Sequence, residues 1–486
     1  MQQALVRPAR HRLGVIGGLG ALGAADVFFK LVQATPAEGG RAQFDLMFEQ
    51  HPFDEPAAPG AADANQTARK LYVFDLVRQF QARGADAVLL PCFISHTFLG
   101  EIAGEARVAI VDAMQALAQH LRRRHPAVRR VGVLTSSFVR GKRLFERAFE
   151  PLGVEVIQPS RQVQETVLMP AIYGAEGLKS GHLQGDAVER LEAACRELLA
   201  QGAELIVPGF TEIALVVDAL RARGLPIVDS NRVLALHAVS DAGDAPGRPF
   251  KLGVVGGVGP AATADFLQKI VRNTDARSDQ EHVKLVVEQN PQIPDRTAHL
   301  VGDGADPTIA LYATCKKLEA AEADLIAIPC NTAHAFVERI QPYLSIPIVN
   351  MLHETVQTLR EQHPQARRIG LLATSGTLAS RVYHEALEAV GLQPIAPDEV
   401  NQRRVMEAIY GEHGVKAGFT DGVCVDELLQ ALAHLVERGA QAVILGCTEL
   451  PLLLAPSPAF TVAGRTIALL DPTEILARRC VALARR

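Results

Sequence analysis

The chain repeats itself, and that fact limits its folding more than any other. Gly14-Val-Ile-Gly-Gly-Leu-Gly returns as Gly253-Val-Val-Gly-Gly-Val-Gly, an offset of 239 residues. Pro91-Cys92-Phe93-Ile94-Ser95-His96 returns as Pro329-Cys330-Asn331-Thr332-Ala333-His334, offset by 238. Arg129 to Leu134 matches Arg367 to Leu372, also at 238, and Ala171-Ile172-Tyr173-Gly174 with Lys179 matches Ala408-Ile409-Tyr410-Gly411 with Lys416, at 237. Gly209-Phe210-Thr211-Glu212 matches Gly446-Cys447-Thr448-Glu449, again at 237. A period this long is a whole domain, not a solenoid unit, so each copy must bury its own core. The seam, Asp241 to Pro249, is rich in Asp, Gly and Pro and reads as a linker. The expected organisation is a domain over 1–240, a linker over 241–250 and a domain over 251–486.

Within each copy, short apolar runs alternate with amphipathic stretches. In the second copy the expected strands are Lys251 to Val255, Val283 to Glu288, Leu325 to Ile328, Pro347 to Val349, Arg368 to Ala373 and Ala442 to Leu445. Helical periodicity marks Thr308 to Ala321 and Val425 to Glu437. Such alternation predicts an α/β fold of right-handed crossovers and parallel sheets covered on both faces. Each copy reads as two doubly wound sub-domains, with a cleft at the carboxyl ends of their strands.

Two strand ends carry the chemistry. Leu325-Ile-Ala-Ile328 is followed by Pro329-Cys330-Asn331-Thr332, and Ala442-Val-Ile-Leu445 by Gly446-Cys447-Thr448-Glu449. Each buried run delivers a thiol into a polar setting. Two such thiols are what a proton-transfer enzyme uses to reach opposite faces of one carbon. The first copy keeps Cys92 but has Phe210 where Cys447 stands, Phe93 for Asn331 and Ile94 for Thr332. Cys195, Cys315, Cys424 and Cys480 fall in or near helical stretches and read as small buried hydrophobes.

The remaining features bound the function. Seven sparsely spread cysteines argue against a disulfide framework and suit a reducing compartment. No CxxC or HExxH spacing supports a metal site. A net charge of −5 implies no nucleic-acid or membrane partner, and the first residues lack a signal-type apolar core, so the expected location is cytoplasmic. Gly18-Leu-Gly-Ala-Leu-Gly23 fits the dinucleotide fingerprint, with Glu49 and Glu288 near the place of a ribose-binding acid. A tight strand-to-helix turn whose amides meet a carboxylate explains the same glycines, with Pro260 suited to a first helical turn. Asn290 to Thr297 carries Arg296 in a proline-rich loop, whereas the matching loop of the first copy, Glu49 to Pro56, has no arginine. Arg296 is suited to gripping a carboxylate through two hydrogen bonds, or to a surface ion pair with Asp295. Lys179 and Lys416 occupy matching positions, and Thr374-Ser375-Gly376-Thr377, with Ser136 and Ser137 as counterparts, offers hydroxyls to an anion. His96 and His334 are read as structural.

Gly-Gly-x-Gly-Pro at 256–260, Asn-Pro-Gln-Ile-Pro-Asp-Arg at 290–296, Pro-Cys-Asn-Thr-Ala-His at 329–334 and Leu-Gly-Cys-Thr-Glu-Leu at 445–450 resemble the cofactor-independent aspartate/glutamate racemase family. The resemblance covers essentially residues 251–486, and more weakly about 12–240. It implies interconversion of L- and D-aspartate, or glutamate, with no cofactor and no metal. Cys330 and Cys447 are the implied catalytic pair, one as thiolate and one as thiol. Arg296 and Lys416 match positions that hold substrate carboxylates, and Asn331, Thr332, Thr374, Ser375, Thr448 and Glu449 match the substrate-binding lining. Helix N-termini, amides and cations are expected to stabilise the thiolate.

The first copy departs from this pattern. With Phe210 and Phe93 beside Cys92 and Lys179, it reads as a degenerate domain completing an intrachain pseudo-dimer. A regulatory ligand at Cys92 and Lys179 is a second reading. For the whole chain, cis-trans isomerisation or decarboxylation of a dicarboxylate, and non-catalytic dicarboxylate binding, stand as alternatives.

Overall fold

The computed structural model describes residues 11–34, 44–53, 62–240 and 249–485. The chain divides into two compact units, Met1–Arg248 and Pro249–Arg486. Most of the expected linker, 241–248, and the end of the Glu49 to Pro56 loop, 54–56, lie outside the described residues.

The first unit holds a parallel sheet of β1 (His11–Ile16), β2 (Phe44–Glu49), β3 (Ala87–Leu89) and β4 (Ala109–Val111), in the order β2-β1-β3-β4. A second parallel sheet holds β5 (Arg130–Leu134), β6 (Glu155–Ile157) and β7 (Leu205–Pro208), in the order β6-β5-β7. The second unit repeats the plan. Strands β8 (Lys251–Gly256), β9 (Lys284–Gln289) and β10 (Leu325–Ala327) form a parallel sheet in the order β10-β8-β9. The other sheet runs β12-β11-β13-β15-β14, from β11 (Arg368–Ala373), β12 (Gln393–Ile395), β13 (Ala442–Gly446), β14 (Ser457–Val462) and β15 (Arg465–Leu470).

Strands buried on both faces read as unbroken apolar runs: every residue of β13 is buried, as are five of the six in β8. The expected strand at Pro347 to Val349 is reduced to one parallel bridge, Ile326 to Ile348. Two elements had no sequence forecast. Strand β12 is three residues long with a proline inside it. The antiparallel β14–β15 hairpin turns at Ala463 and Gly464, both at positive φ, and has no equivalent among the described residues of the first unit. Helices cover the sheets with apolar stripes, as in Val423–Glu437, which buries Cys424, Leu428, Ala431, Leu432 and Leu435.

Matching ion clusters, buried in the second unit and half-buried in the first, tie the helix after each glycine turn to a late helix of its unit. In the second unit Lys269, on helix Pro260–Asn273, bonds Asp265 and lies 2.6 Å from Asp471, whose other oxygen caps helix Pro472–Ala484. In the first, Lys30 lies 2.7 Å from Asp26 and 2.9 Å from Asp229. Pairing on both sides is what allows these charges to be buried. Among the described residues no helix is long and apolar enough to cross a membrane.

Candidate active site

Cys330 stands just past β10 and Cys447 just past β13, so the two thiols leave different sheets of the second unit. Both line one cavity, together with Arg296, Asn331, Thr332, Thr374, Lys416, Thr448 and Glu449. Ser375 is the exception among the expected residues. It does not line the cavity, because it follows the capping Thr374 into a helical turn, where its hydroxyl accepts from Gln402 Nε2 at 3.3 Å. Val258, Thr297 and Tyr410 complete the lining. The cavity is small and lined mainly by polar side chains.

The surroundings of the two thiols are opposite in charge. Arg296 is 7% exposed, and its guanidinium lies against Cys330. Burial works against the arginine charge, but the neighbouring Cys330 and Asp295 outweigh it and hold its pKa above the ordinary value. Asp295 is not its surface partner, since that carboxylate accepts from Ala298 N at 2.7 Å and Tyr410 Oη at 3.1 Å. Arg296 Nη1 donates to the carbonyls of Ile293 and Pro294, while its Nε is buried with no partner. Cys447 instead donates to Glu449 Oε2 at 3.1 Å. Burial, and then the Glu449 charge, push this thiol well above its usual range, with Lys416 working against them.

Glu449 and Lys416 are engaged with each other. Glu449 Oε1 accepts from Lys416 Nζ at 2.7 Å, and Oε2 also accepts from Thr448 at 3.4 Å. Lys416 also lies 5.3 Å from the centre of the Tyr410 ring. Glu449 would repel a substrate carboxylate, so its place is beside Cys447 and Lys416. It also explains the glycine motif. Gly259 adopts φ +119°, and a Cβ there would fall 2.4 Å from Glu449 Oε1; at the matching Gly20 it would fall 2.5 Å from Glu212 Oε1. Gly20 and Gly259 make room for the carboxylate of their own unit, a packing reason for glycine at these positions that needs no dinucleotide.

Hydroxyls and one imidazole fix the thiol loops. Thr297, Thr332, Thr374 and Thr377 form a cluster with Oγ1 separations of 2.7 to 3.2 Å. His334 Nδ1 donates to Cys330 O at 2.9 Å and Nε2 accepts from Met351 N at 3.2 Å. His96 does the same for Cys92 O and Ala113 N. The helical turn after Cys330 is a single 3-10 segment, Thr332–Phe336, and that after Cys447 is Leu450–Leu452. Arg296 therefore supplies the positive charge that was expected in part from helix N-termini.

The first unit keeps part of the constellation. Arg69, from helix Ala62–Ala82, donates to Cys92 Sγ at 3.5 Å, so a guanidinium absent from the loop arrives from a different element. Lys179 Nζ lies 3.8 Å from Glu212. Phe210 packs edge-on against Tyr173, and Phe93 against Phe145. Thr297, Tyr383, Tyr410 and Arg69 are the site residues that sequence reasoning missed; the repeat of Tyr410 in the Ala-Ile-Tyr-Gly turn was the one available signal.

The chain belongs to the Asp/Glu/Hydantoin racemase family, whose model matches it twice, over residues 16–238 and 255–480. Among its relatives is the broad specificity amino-acid racemase RacX of Bacillus subtilis (strain 168), 28% identical over 211 residues, spanning 42% of this chain and 87% of that protein. The glutamate racemase of Shewanella sp. (strain ANA-3) is 28% identical over 167 residues, or 33% of this chain and 56% of the relative. Among solved structures, the Picrophilus torridus aspartate racemase is 28% identical with a TM-score of 0.42, covering 49% of this chain and 94% of its own.

Proposed function

We propose that the second unit interconverts the enantiomers of an acidic amino acid, aspartate before glutamate, by proton transfer between Cys330 and Cys447. The observation that carries this reading is the pair of thiols reaching one cavity from two sheets, one against a guanidinium and the other donating to a carboxylate. The Cys330 thiolate takes the α-proton: the Cα–H bond breaks, an S–H bond forms, and the electron pair passes into the α-carboxylate. Cys447 returns its own proton on the opposite face and becomes the thiolate, ready for the reverse direction. Arg296 Nε and Asn331 Nδ2, buried donors without partners, are suited to the carboxylate that receives the charge. The Cys447 thiol, held protonated by burial and the Glu449 charge, is the proton donor of this half-reaction. No cofactor enters this scheme.

One observation favours a second substrate class. Lys416, the cation expected at the distal carboxylate, is already paired with Glu449, so a neutral side chain meets no unbalanced charge there, and RacX carries a broad-specificity name. Proton NMR in heavy water with L-aspartate, L-glutamate and L-asparagine, adding no cofactor, decides between them. Loss of the α-proton signal with formation of the D enantiomer supports racemisation and selects the substrate. No exchange with any of the three, thiols reduced, removes the proposal. The first unit, with Phe210 in place of a second thiol, is proposed to be non-catalytic.

A further inference from the structure

We infer that Tyr383 is the positioning residue that decides which end of the Asn331 amide faces the substrate. The inference rests on the proposed reading of the cavity as an amino-acid site. Tyr383 is fully buried, at 0% exposure, does not line the cavity, and donates from Oη to Asn331 Oδ1 at 2.6 Å. That length suits an O–H···O bond better than N–H···O, so the oxygen end of the amide is the one turned to the tyrosine. Burial raises the Tyr383 pKa, which keeps the phenol protonated and a donor. The other end, Nδ2, is left buried and unpartnered on a residue that is 1% exposed and lines the cavity. An unmatched buried donor is costly, and a carboxylate oxygen beside it removes that cost.

The first unit supplies an internal comparison. At the same offset of 238 residues, Asn331 is replaced by Phe93 and Tyr383 by Phe145, and the two rings pack at 5.5 Å between centroids. Both members of the polar pair are lost together, in the unit that has also lost its second thiol. A tyrosine retained only for packing would not need to change with its partner.

The test is a double-mutant cycle in the full chain, with Tyr383→Phe, Asn331→Ala and the combined variant, following kcat/KM for racemisation and the calorimetric Kd for L-aspartate. Tyr383→Phe keeps the ring, as at Phe145, and unlocks the amide. It is expected to lower kcat/KM and weaken Kd about tenfold, and Asn331→Ala by about 30-fold, the scale of one hydrogen bond to a charged group. In a chain that already carries Asn331→Ala, adding Tyr383→Phe is expected to change neither quantity by more than about twofold. An equal loss in both backgrounds, or none in either, overturns the inference. A parent that binds L-aspartate without racemising it removes the two-thiol reading, while coupling in Kd still supports the role of Tyr383. A parent that neither binds nor turns over L-aspartate, L-glutamate or L-asparagine overturns both.

Discussion

Replacing Gly259 by alanine tests how the glycine turn, Glu449 and Cys447 depend on one another. The residue sits at φ +119° and ψ 88°, outside the regions an L-residue occupies readily, which costs roughly 1–3 kcal/mol. The new Cβ would stand 2.4 Å from Glu449 Oε1, the oxygen that holds Lys416 at 2.7 Å. The carboxylate must swing away, loosening a charge-assisted bond of about 1.5–3 kcal/mol. The sum is about 2.5–6 kcal/mol. Gly464→Ala is the control: it also has positive φ, +69°, but its Cβ meets nothing within 4 Å, so only the backbone cost of roughly 1–2 kcal/mol applies. Urea unfolding of both variants, followed with racemase activity, separates the two costs. Gly259→Ala is expected to be the less stable and to lose turnover, because Glu449 no longer meets Cys447, while Gly464→Ala keeps its activity. Equal destabilisation with full activity in both would refute the reasoning.

Three further outcomes follow from the same geometry. Burial lowers the His334 pKa below its ordinary 6.5, so between its folded value and about 6.5 the unfolded chain binds more protons. Stability should therefore fall as pH drops below about 6.5, by up to ~1.4 kcal/mol per unit, and urea midpoints that fall equally in His334→Gln would contradict that assignment. Cys195, Cys315 and Cys480 are buried, with pKa values pushed up to about 12. Iodoacetamide at neutral pH should leave all three unmodified in the native protein, as read by peptide mass spectrometry, and labelling before Cys330 would count against it. Lys416→Met leaves Glu449 buried and unpaired beside Cys447, and kcat/KM should fall by roughly 10²-fold or more; an unchanged value would show that the ion pair is dispensable.

Much of this architecture was legible because duplication prints each signal twice. Both thiol-bearing strand ends, and β11 from Arg368 to Ala373, follow directly from apolar runs that stop at turn residues. What escaped had a physical reason. Strand β12 is too short and too proline-broken to show period two, and the β14–β15 hairpin has no partner among the described residues of the first unit to reinforce it. Arg69 and Tyr383 reach the thiol loops from helices 23 and 52 residues away in sequence, and no local pattern records such contacts. Thr374 lines the cavity and the adjacent Ser375 does not, because a capped helical turn sends neighbouring side chains in different directions.

The central claim is that Cys330 and Cys447 act together and Cys92 does not. It is tested most directly by following the conversion of L-aspartate to D-aspartate, by circular dichroism, in Cys330→Ala, Cys447→Ala and Cys92→Ala. The first two should each lose at least about 10³-fold in kcat, and Cys92→Ala should match the parent. Retained racemisation in Cys447→Ala, or its loss in Cys92→Ala, would contradict the account.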